Sequence, residues 1–189
     1  MIDPTSLKGC SPEELAMFAC CVHGKTAVVQ AEKFNNILEA LSAVNSELRP
    51  LSIWMTLDAD EQLGLLKQYK IGQYTKIAKA WNHLAAVTPP FTVANLMKVS
   101  GIGPKTARFI TVYSGTDTNR AVLDVHVIRW LRKKKLWPYP RAPKNASEYE
   151  QGERIFLAQA RKLGVTPAEL DTSIWQAFQR GSPKKGTTI

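Results

Sequence analysis

The chain has 189 residues, and 44% of them are hydrophobic, which is ordinary for a globular protein of one domain or two small lobes. Its formal net charge of +9 at pH 7 favours a polyanionic partner such as nucleic acid, although a merely basic protein is the alternative. No apolar run is long enough to span a membrane, and the Met-Ile-Asp-Pro start lacks the regions of a signal peptide. We therefore expect no association with a membrane.

The cysteines argue against a disulfide framework and against a zinc site. There are three, Cys10, Cys20 and Cys21, and none belongs to a CxxC pair. Reduced, partly buried thiols are the expectation. They fit a cytoplasmic or nucleoid-associated protein in a prokaryote, or a nuclear one in a eukaryote.

Helical periodicity dominates the first half of the chain. A capping box at Ser11 and Glu14, with proline between them, predicts a helix that runs to Gly24. Apolar stripes at helical spacing follow within residues 34–44 and 74–85. Asp58 with Glu61 marks another helix start. Pro89-Pro90 ends the segment that carries the stripe at 74–85.

The second half is also predicted to be helical. A Gly-Ile-Gly turn separates a helix of about five residues from a longer one, by period counting. Asp124 can cap a helix through Arg132, and the proline-rich stretch from Trp137 to Pro143 is predicted to be a linker. Ser147 to Glu150 forms a third capping box, and Thr166-Pro167 begins a last helix that Gly181 closes. With no convincing strand, the fold class is all-α. We expect one compact domain over residues 1–181 and a polar, mobile tail over 182–189.

The stretch from Leu96 to Ile110 has the pattern of a helix-hairpin-helix motif, within residues 93–114. Gly101 and Gly103 permit backbone angles that other residues avoid, and small Ala107 allows two helices to approach closely. Backbone N–H groups at the start of the second helix can then bind a phosphate. The alternative is an ordinary helical turn with two glycines.

Lys105 and Asp124 are the candidate catalytic residues. A lysine just after the turn can be a Schiff-base nucleophile, provided that its amine is neutral near pH 7, which partial burial and the positive helix end would favour. Alternatively it contacts phosphate or solvent. One interpretation of Asp124 is a plain helix N-cap. The other is that a carboxylate at a helix start near Lys105 stabilises a cationic sugar.

These residues carry a family resemblance. Gly101-Ile-Gly-Pro-Lys-Thr-Ala107, followed by Val122-Leu-Asp-Val-His126, resembles the helix-hairpin-helix DNA glycosylases, the superfamily of endonuclease III and the 8-oxoguanine DNA glycosylases. Gly72-Gln-Tyr-Thr-Lys-Ile-Ala78 resembles the segment of that family that approaches DNA at the lesion. Leu170-Asp-Thr-Ser-Ile-Trp175 is similar to the C-terminal segment of the small 8-oxoguanine group.

The resemblance implies a two-lobed helical fold with the active site between the lobes. It implies a monomeric DNA glycosylase with AP lyase activity on double-stranded DNA that holds a damaged base, 8-oxoguanine by preference. No cofactor is expected, and the absence of cysteine after Cys21 excludes the iron–sulfur cluster of the endonuclease III relatives. No structural metal is expected either, although the family allows a monovalent cation at the hairpin.

The remaining site residues follow from the same resemblance. Besides Lys105 and Asp124, contacts to the DNA backbone are expected from Gly101, Gly103, Thr106 and His126. Contacts to the lesion or to the opposite strand are expected from Lys25, Thr26 and Tyr74, with core packing the alternative for Tyr74. The base pocket is expected to contain Asp171, Trp175 and Phe178. For the two aromatic residues the alternative is packing of the C-terminal helix, and for Asp171 it is a solvated surface position.

Two other functional classes stay open at this point. A non-catalytic DNA-binding module would use the hairpin alone. A monofunctional glycosylase would use Lys105 only to bind DNA, and it would release the base without nicking the strand.

Overall fold

The computed structural model describes residues 1–4, 6–7 and 10–180, without the side chains of residues 179 and 180. The regular secondary structure of the described residues is helical, with one isolated antiparallel bridge between Asp3 and Ser6 as their only β pairing, so the all-α prediction is confirmed. The chain divides into two compact units, residues 1–117 and 118–189. In the first unit the helices are α1 (Pro12–Cys21), α2 (Ala27–Val44), α3 (Pro50–Trp54), α4 (Ala59–Gln68), α5 (Tyr74–Ala85), α6 (Val93–Leu96) and α7 (Pro104–Tyr113); in the second they are α8 (Val125–Lys133), α9 (Ala146–Leu163) and α10 (Pro167–Arg180).

The prediction of a single domain over 1–181 stays a prediction, and the tail at 182–189, with Gly181, lies outside the described residues. Within the described part of the chain, no helix combines the length and the apolar character needed to cross a bilayer.

The first unit is built around α1. Seven consecutive residues of this helix, from Leu15 to Cys21, are buried. The Trp81 ring contacts that of Trp54 edge-on, with centroids 4.8 Å apart, and its indole N–H donates to the Met17 carbonyl at 3.1 Å. Burial of large aromatic groups with their polar atoms satisfied is the main stabilising contribution in such a core. Burial also raises the pKa of the Cys20 thiol to about 12, so this thiol is protonated at neutral pH.

The predicted helix starts at Ser11, Asp58 and Thr166 are confirmed. Ser11 and Asp58 each form a full capping box, and Thr166 exchanges the same pair of hydrogen bonds with Glu169. The predicted end of α1 at Gly24 was wrong, because the helix stops at Cys21 and Val22 caps it. Sequence reasoning also missed α3, since five residues are too few to establish a helical period.

Two predictions for the second unit were wrong. The N-cap of α9 is Asn145, whose side chain accepts from the Glu148 N–H, so the predicted start at Ser147 was two residues late. The stretch from Trp137 to Pro143 is non-helical as predicted, but it is not a linker. Trp137 is buried in the core of this unit, and its indole N–H donates to the Arg141 carbonyl at 2.7 Å. An aromatic side chain with its polar atom satisfied can anchor an irregular segment to a core.

Candidate catalytic and DNA-binding residues

The α6–α7 segment forms the predicted hairpin. Its apolar positions face the core of the first unit: Leu96, Val99, Ile102, Ala107 and Ile110 are all at most 5% exposed. Gly101 has a positive φ of 86°, which a residue with a side chain rarely adopts. The prediction that Gly103 also adopts angles that other residues avoid was wrong, because its φ of −92° and ψ of 179° are ordinary extended backbone.

Gly103 instead leaves the start of α7 open. It is the N-cap of the helix and offers no side-chain acceptor, and a side chain added there would meet nothing within 4 Å. The next residue, Pro104, has no N–H group. Among the described residues, the N–H groups of Gly103, Lys105 and Thr106 have no hydrogen-bond partner. Unpaired amides at the positive end of a helix are a binding site for a phosphate.

Lys105 is exposed at the second position of α7. Lys105 therefore lacks the partial burial that the nucleophile interpretation calls for, although Ala107 in the same turn is fully buried. The position of Lys105 in the first turn of the helix, next to the amino end, is confirmed. Thr106, the next residue, is half-buried.

Asp124 is the N-cap of α8, which confirms one of the two interpretations of this residue. Its Oδ1 atom accepts from the N–H groups of His126 and Val127, both at 2.8 Å. Its Oδ2 atom has no hydrogen-bond partner among the described residues, and the side chain is half-buried. The cap therefore fixes the carboxylate while leaving one oxygen available to a ligand.

Sequence reasoning missed the residues of α9 that hold the segment before Asp124. The Tyr149 hydroxyl accepts from the Leu123 N–H at 2.9 Å and donates to the Ala121 carbonyl at 3.1 Å. Glu153 accepts from the Ala121 N–H at 3.0 Å. At Gly152 a side chain would collide with the Trp137 ring and with Leu123, so the glycine allows α9 to pack closely here. Nothing in the spacing of these residues indicates such contacts, since they join positions 26 to 32 residues apart.

We expect Tyr149→Phe to destabilise the protein by about 1–3 kcal/mol, because a buried amide of Leu123 and a buried carbonyl of Ala121 lose their partner. Urea denaturation followed by circular dichroism measures the loss. Tyr139→Phe is the matched control, since it removes one half-buried hydrogen bond to Gln151. A loss at Tyr149 no larger than at Tyr139 would contradict this account of the segment.

The predicted base-pocket residues follow one face of α10 but differ in exposure. Phe178 is half-buried, and its ring lies 5.4 Å from that of His126 on α8. Trp175 is 44% exposed, so packing of the C-terminal helix covers only part of its ring. Asp171 is buried at 9% exposure, and the alternative of a solvated position was wrong.

His126 is half-buried beside Asp124. Its Nδ1 atom is buried and has no hydrogen-bond partner in the described part of the chain. Because buried polar atoms nearly always have a partner, this atom is suited to a bound water molecule.

The residues predicted to contact the lesion or the opposite strand lie in the first unit. The Lys25 ammonium donates to the Ile71 carbonyl at 2.5 Å, which ties the loop before α2 to the loop before α5. Thr26 is the exposed N-cap of α2, and its side chain makes no capping bond. Tyr74, the first residue of α5, is half-buried against the core, so core packing accounts for part of its ring. Across the described residues, no group of three His, Cys, Asp or Glu side chains is arranged to hold a metal ion.

Solved structures share the fold of this chain. The chain superimposes on the 8-oxoguanine glycosylase/lyase of Methanocaldococcus jannaschii, solved in complex with a 15mer DNA containing 8-oxoguanine, with a TM-score of 0.64 and 20% identity over 95% of this chain and 86% of that one. It also matches the 8-oxoguanine DNA glycosylase of Thermotoga maritima, with a TM-score of 0.61 and 19% identity over 89% of this chain and 81% of that one. No protein-family model and no curated protein sequence matches the chain. The protein therefore has the helical fold of 8-oxoguanine DNA glycosylases.

Proposed function

We propose that this protein is a DNA glycosylase with AP lyase activity that removes 8-oxoguanine from double-stranded DNA. The observation that carries the proposal is the hairpin: it presents an exposed lysine amine beside three unpaired backbone amides at the start of α7. Amides of this kind hold a phosphate without regard to sequence, and the amine is then beside the nucleotide that the phosphate belongs to.

The chemistry begins with a nucleotide flipped out of the duplex, because the sugar carbon is inaccessible inside the stack. The lone pair of the Lys105 amine attacks C1′, and the bond to the base breaks with its electron pair leaving on the base, which takes up a proton. The nitrogen loses a proton and expels O4′, which is protonated, so that a Schiff base joins Lys105 to C1′. Loss of a proton from C2′ then breaks the C3′–O bond and nicks the strand.

Asp124 stabilises the positive charge that develops on the sugar as the base departs. Its carboxylate is suited to this role because two backbone amides hold Oδ1, while Oδ2 accepts no hydrogen bond among the described residues. A charged group that is already oriented needs no reorganisation in the transition state.

The net charge of +9 supports binding to duplex DNA, since phosphates neutralised by Lys and Arg release counterions. We assign the phosphate contacts to the amides of Gly103, Lys105 and Thr106, with His126 as a further contact. In the resembling family a monovalent cation can join such a hairpin; no other cofactor enters the proposal. The protein acts as a monomer in this scheme.

The base pocket is assigned to α10. Phe178 offers a half-buried ring held by His126, while Asp171 is a buried group that can read the edge of a base. Trp175 is exposed enough to contact the flipped base directly. Lys25, Thr26 and Tyr74 are assigned to the opposite strand or the lesion, and of these Thr26 is the most exposed side chain.

The preference for 8-oxoguanine is supported by the two structural neighbours, both of which are 8-oxoguanine enzymes by name. We expect the protein to nick a duplex that holds one 8-oxoguanine and to form a covalent adduct with it under borohydride, which reduces and traps a Schiff base. Matched duplexes with an oxidised pyrimidine or uracil at the same position are the comparison, read on denaturing gels. Nicking of the oxidised-pyrimidine duplex but not of the 8-oxoguanine duplex would overturn the substrate assignment.

The same gels separate the two alternatives. A non-catalytic binding module would shift the duplex without nicking it. A monofunctional glycosylase would release the base, so that the strand breaks only after treatment with alkali.

A further inference from the structure

The segment 121–124, which ends at Asp124, belongs to no helix or strand. Ala121, Val122 and Leu123 are nonetheless at most 5% exposed, so their backbone groups are largely shielded from solvent. Buried backbone groups need hydrogen-bond partners, and outside regular secondary structure these have to come from side chains or turns. The contacts that hold this segment therefore decide where Asp124 lies.

Two buried side chains of α9 supply partners for the segment. The Tyr149 hydroxyl bridges two of its residues, since it accepts from the Leu123 N–H at 2.9 Å and donates to the Ala121 carbonyl at 3.1 Å. Glu153, about one helical turn further along α9, accepts from the Ala121 N–H at 3.0 Å. Tyr149 and Glu153 are each 5% exposed, so these bonds lie in a low-dielectric interior where an unpaired group is costly.

A tight turn carries this constraint to Asp124. The Asp124 N–H donates to the Val122 carbonyl at 2.9 Å, which makes Leu123 the central residue of a three-residue turn. Leu123 is also the residue whose N–H is bonded to Tyr149. Beyond the turn, the Asp124 side chain caps α8. The backbone of Asp124 is thus fixed from α9, and its carboxylate is fixed from α8.

The partners on α9 are themselves held in place. An Arg120 guanidinium nitrogen lies 3.6 Å from the Glu153 carboxylate, whose side chain is only 7% exposed. A charge that is buried and paired keeps its orientation, because breaking the pair would leave a buried charge without its partner. Gly152 lets α9 come this close, since a side chain there would lie 2.5 Å from Trp137 and 2.7 Å from Leu123.

We propose that Tyr149 and Glu153 are positioning residues for base excision, which act through Asp124 and are too buried to touch DNA. The inference rests on the proposed function, in which the Asp124 carboxylate stabilises a charged sugar. That stabilisation depends on where the carboxylate lies, and a displacement of about 1 Å can cost on the order of a hundredfold in rate. Without the contacts from α9, Asp124 keeps its charge but loses its fixed position.

The first test is Tyr149→Phe in the whole chain, assayed by single-turnover excision of 8-oxoguanine from a duplex. The assay is run at a temperature at which circular dichroism shows each variant folded. We expect the rate constant at saturating protein to fall about tenfold to a hundredfold, while the protein concentration that gives half this rate changes no more than about twofold. Tyr139→Phe, which removes a half-buried hydrogen bond to Gln151 in the same unit, should excise at the native rate.

A double-mutant cycle shows whether the effect passes through Asp124. In an Asp124→Asn background, Tyr149→Phe should cost no more than about twofold in rate, because the charge that Tyr149 positions is already gone. A general weakening of the fold would repeat the full loss in both backgrounds.

Glu153 provides a comparison of two variants that both lose the ion pair with Arg120. Glu153→Gln keeps an oxygen that can accept from the Ala121 N–H, whereas Glu153→Leu has no acceptor. We expect Glu153→Gln to excise within about threefold of the native rate and Glu153→Leu to be at least about tenfold slower. If Tyr149→Phe fails to fold, the Glu153 pair and Glu153→Leu in the Asp124→Asn background decide the question.

The possible failures can be told apart. A folded Tyr149→Phe protein that excises at the native rate would overturn the inference, as would an equal loss from Tyr149→Phe in both Asp124 backgrounds. Equal rates for the two Glu153 variants would overturn it for Glu153. A native protein that binds the duplex but excises no base would overturn the proposed function, and this inference with it.

Discussion

Replacing Lys105 with glutamine is expected to abolish the borohydride-trapped adduct and to reduce strand nicking by at least about a thousandfold, because the amide nitrogen has no basic lone pair with which to attack C1′. Binding of the damaged duplex should change far less. Glutamine is close to lysine in size, and the unpaired amides at the start of α7 belong to the backbone. Gel-shift and trapping assays on one 8-oxoguanine duplex measure the two effects separately.

Lys98→Gln is the matched control for this variant. Lys98 is also exposed, lies in the loop between α6 and α7, and loses the same charge, while its ammonium donates only to the Asn95 side chain at 3.3 Å. A Lys105→Gln protein that traps as well as the Lys98→Gln protein would refute the Schiff-base assignment. Release of the base without nicking by the native protein would identify a monofunctional glycosylase.

Asp124→Asn is expected to lower the rate of base excision by about a hundredfold to a thousandfold, the effect usual for loss of one oriented electrostatic group in an active site. The stability of the protein should change little. Asparagine caps helices about as well as aspartate, so its side-chain oxygen can still accept from the N–H groups of His126 and Val127. Single-turnover excision and thermal unfolding together separate the catalytic role from the capping role.

Asp58→Asn makes the same change at a second N-cap. Asp58 accepts from the N–H groups of Asp60 and Glu61, both at 2.9 Å, at the start of α4. The two variants should lose similar amounts of stability, and only Asp124→Asn should lose activity. Full excision by Asp124→Asn, at a stability equal to that of Asp58→Asn, would mean that Asp124 is no more than a cap.

The local features of the fold could be predicted from the sequence because they depend on neighbouring residues. The capping boxes at Ser11 and Asp58 follow from a hydroxyl or carboxylate three positions before a glutamate. The hairpin follows from the alternation of apolar residues and glycines between Leu96 and Ile110, and the buried positions are the predicted ones. The errors at Gly24 and Ser147 are displacements of two or three residues at helix ends, where helices fray and local signals are weakest.

The wrong predictions about exposed and buried residues have another cause: burial is a property of the whole fold. The proline-rich stretch has the composition of a linker, yet Trp137 is buried in the core of the second unit. Lys105, for which the nucleophile interpretation calls for partial burial, is exposed. Asp171 was assigned a possible solvated position and is buried.

The sequence by itself determined the helical class, the hairpin with its lysine and the cap at Asp124, because each depends on residues within one or two helical turns. Only the tertiary structure revealed that Tyr149, Gly152 and Glu153 hold the segment before Asp124. Those contacts join residues far apart in the chain. Their geometry is set by how the helices pack, which no local pattern of residues encodes.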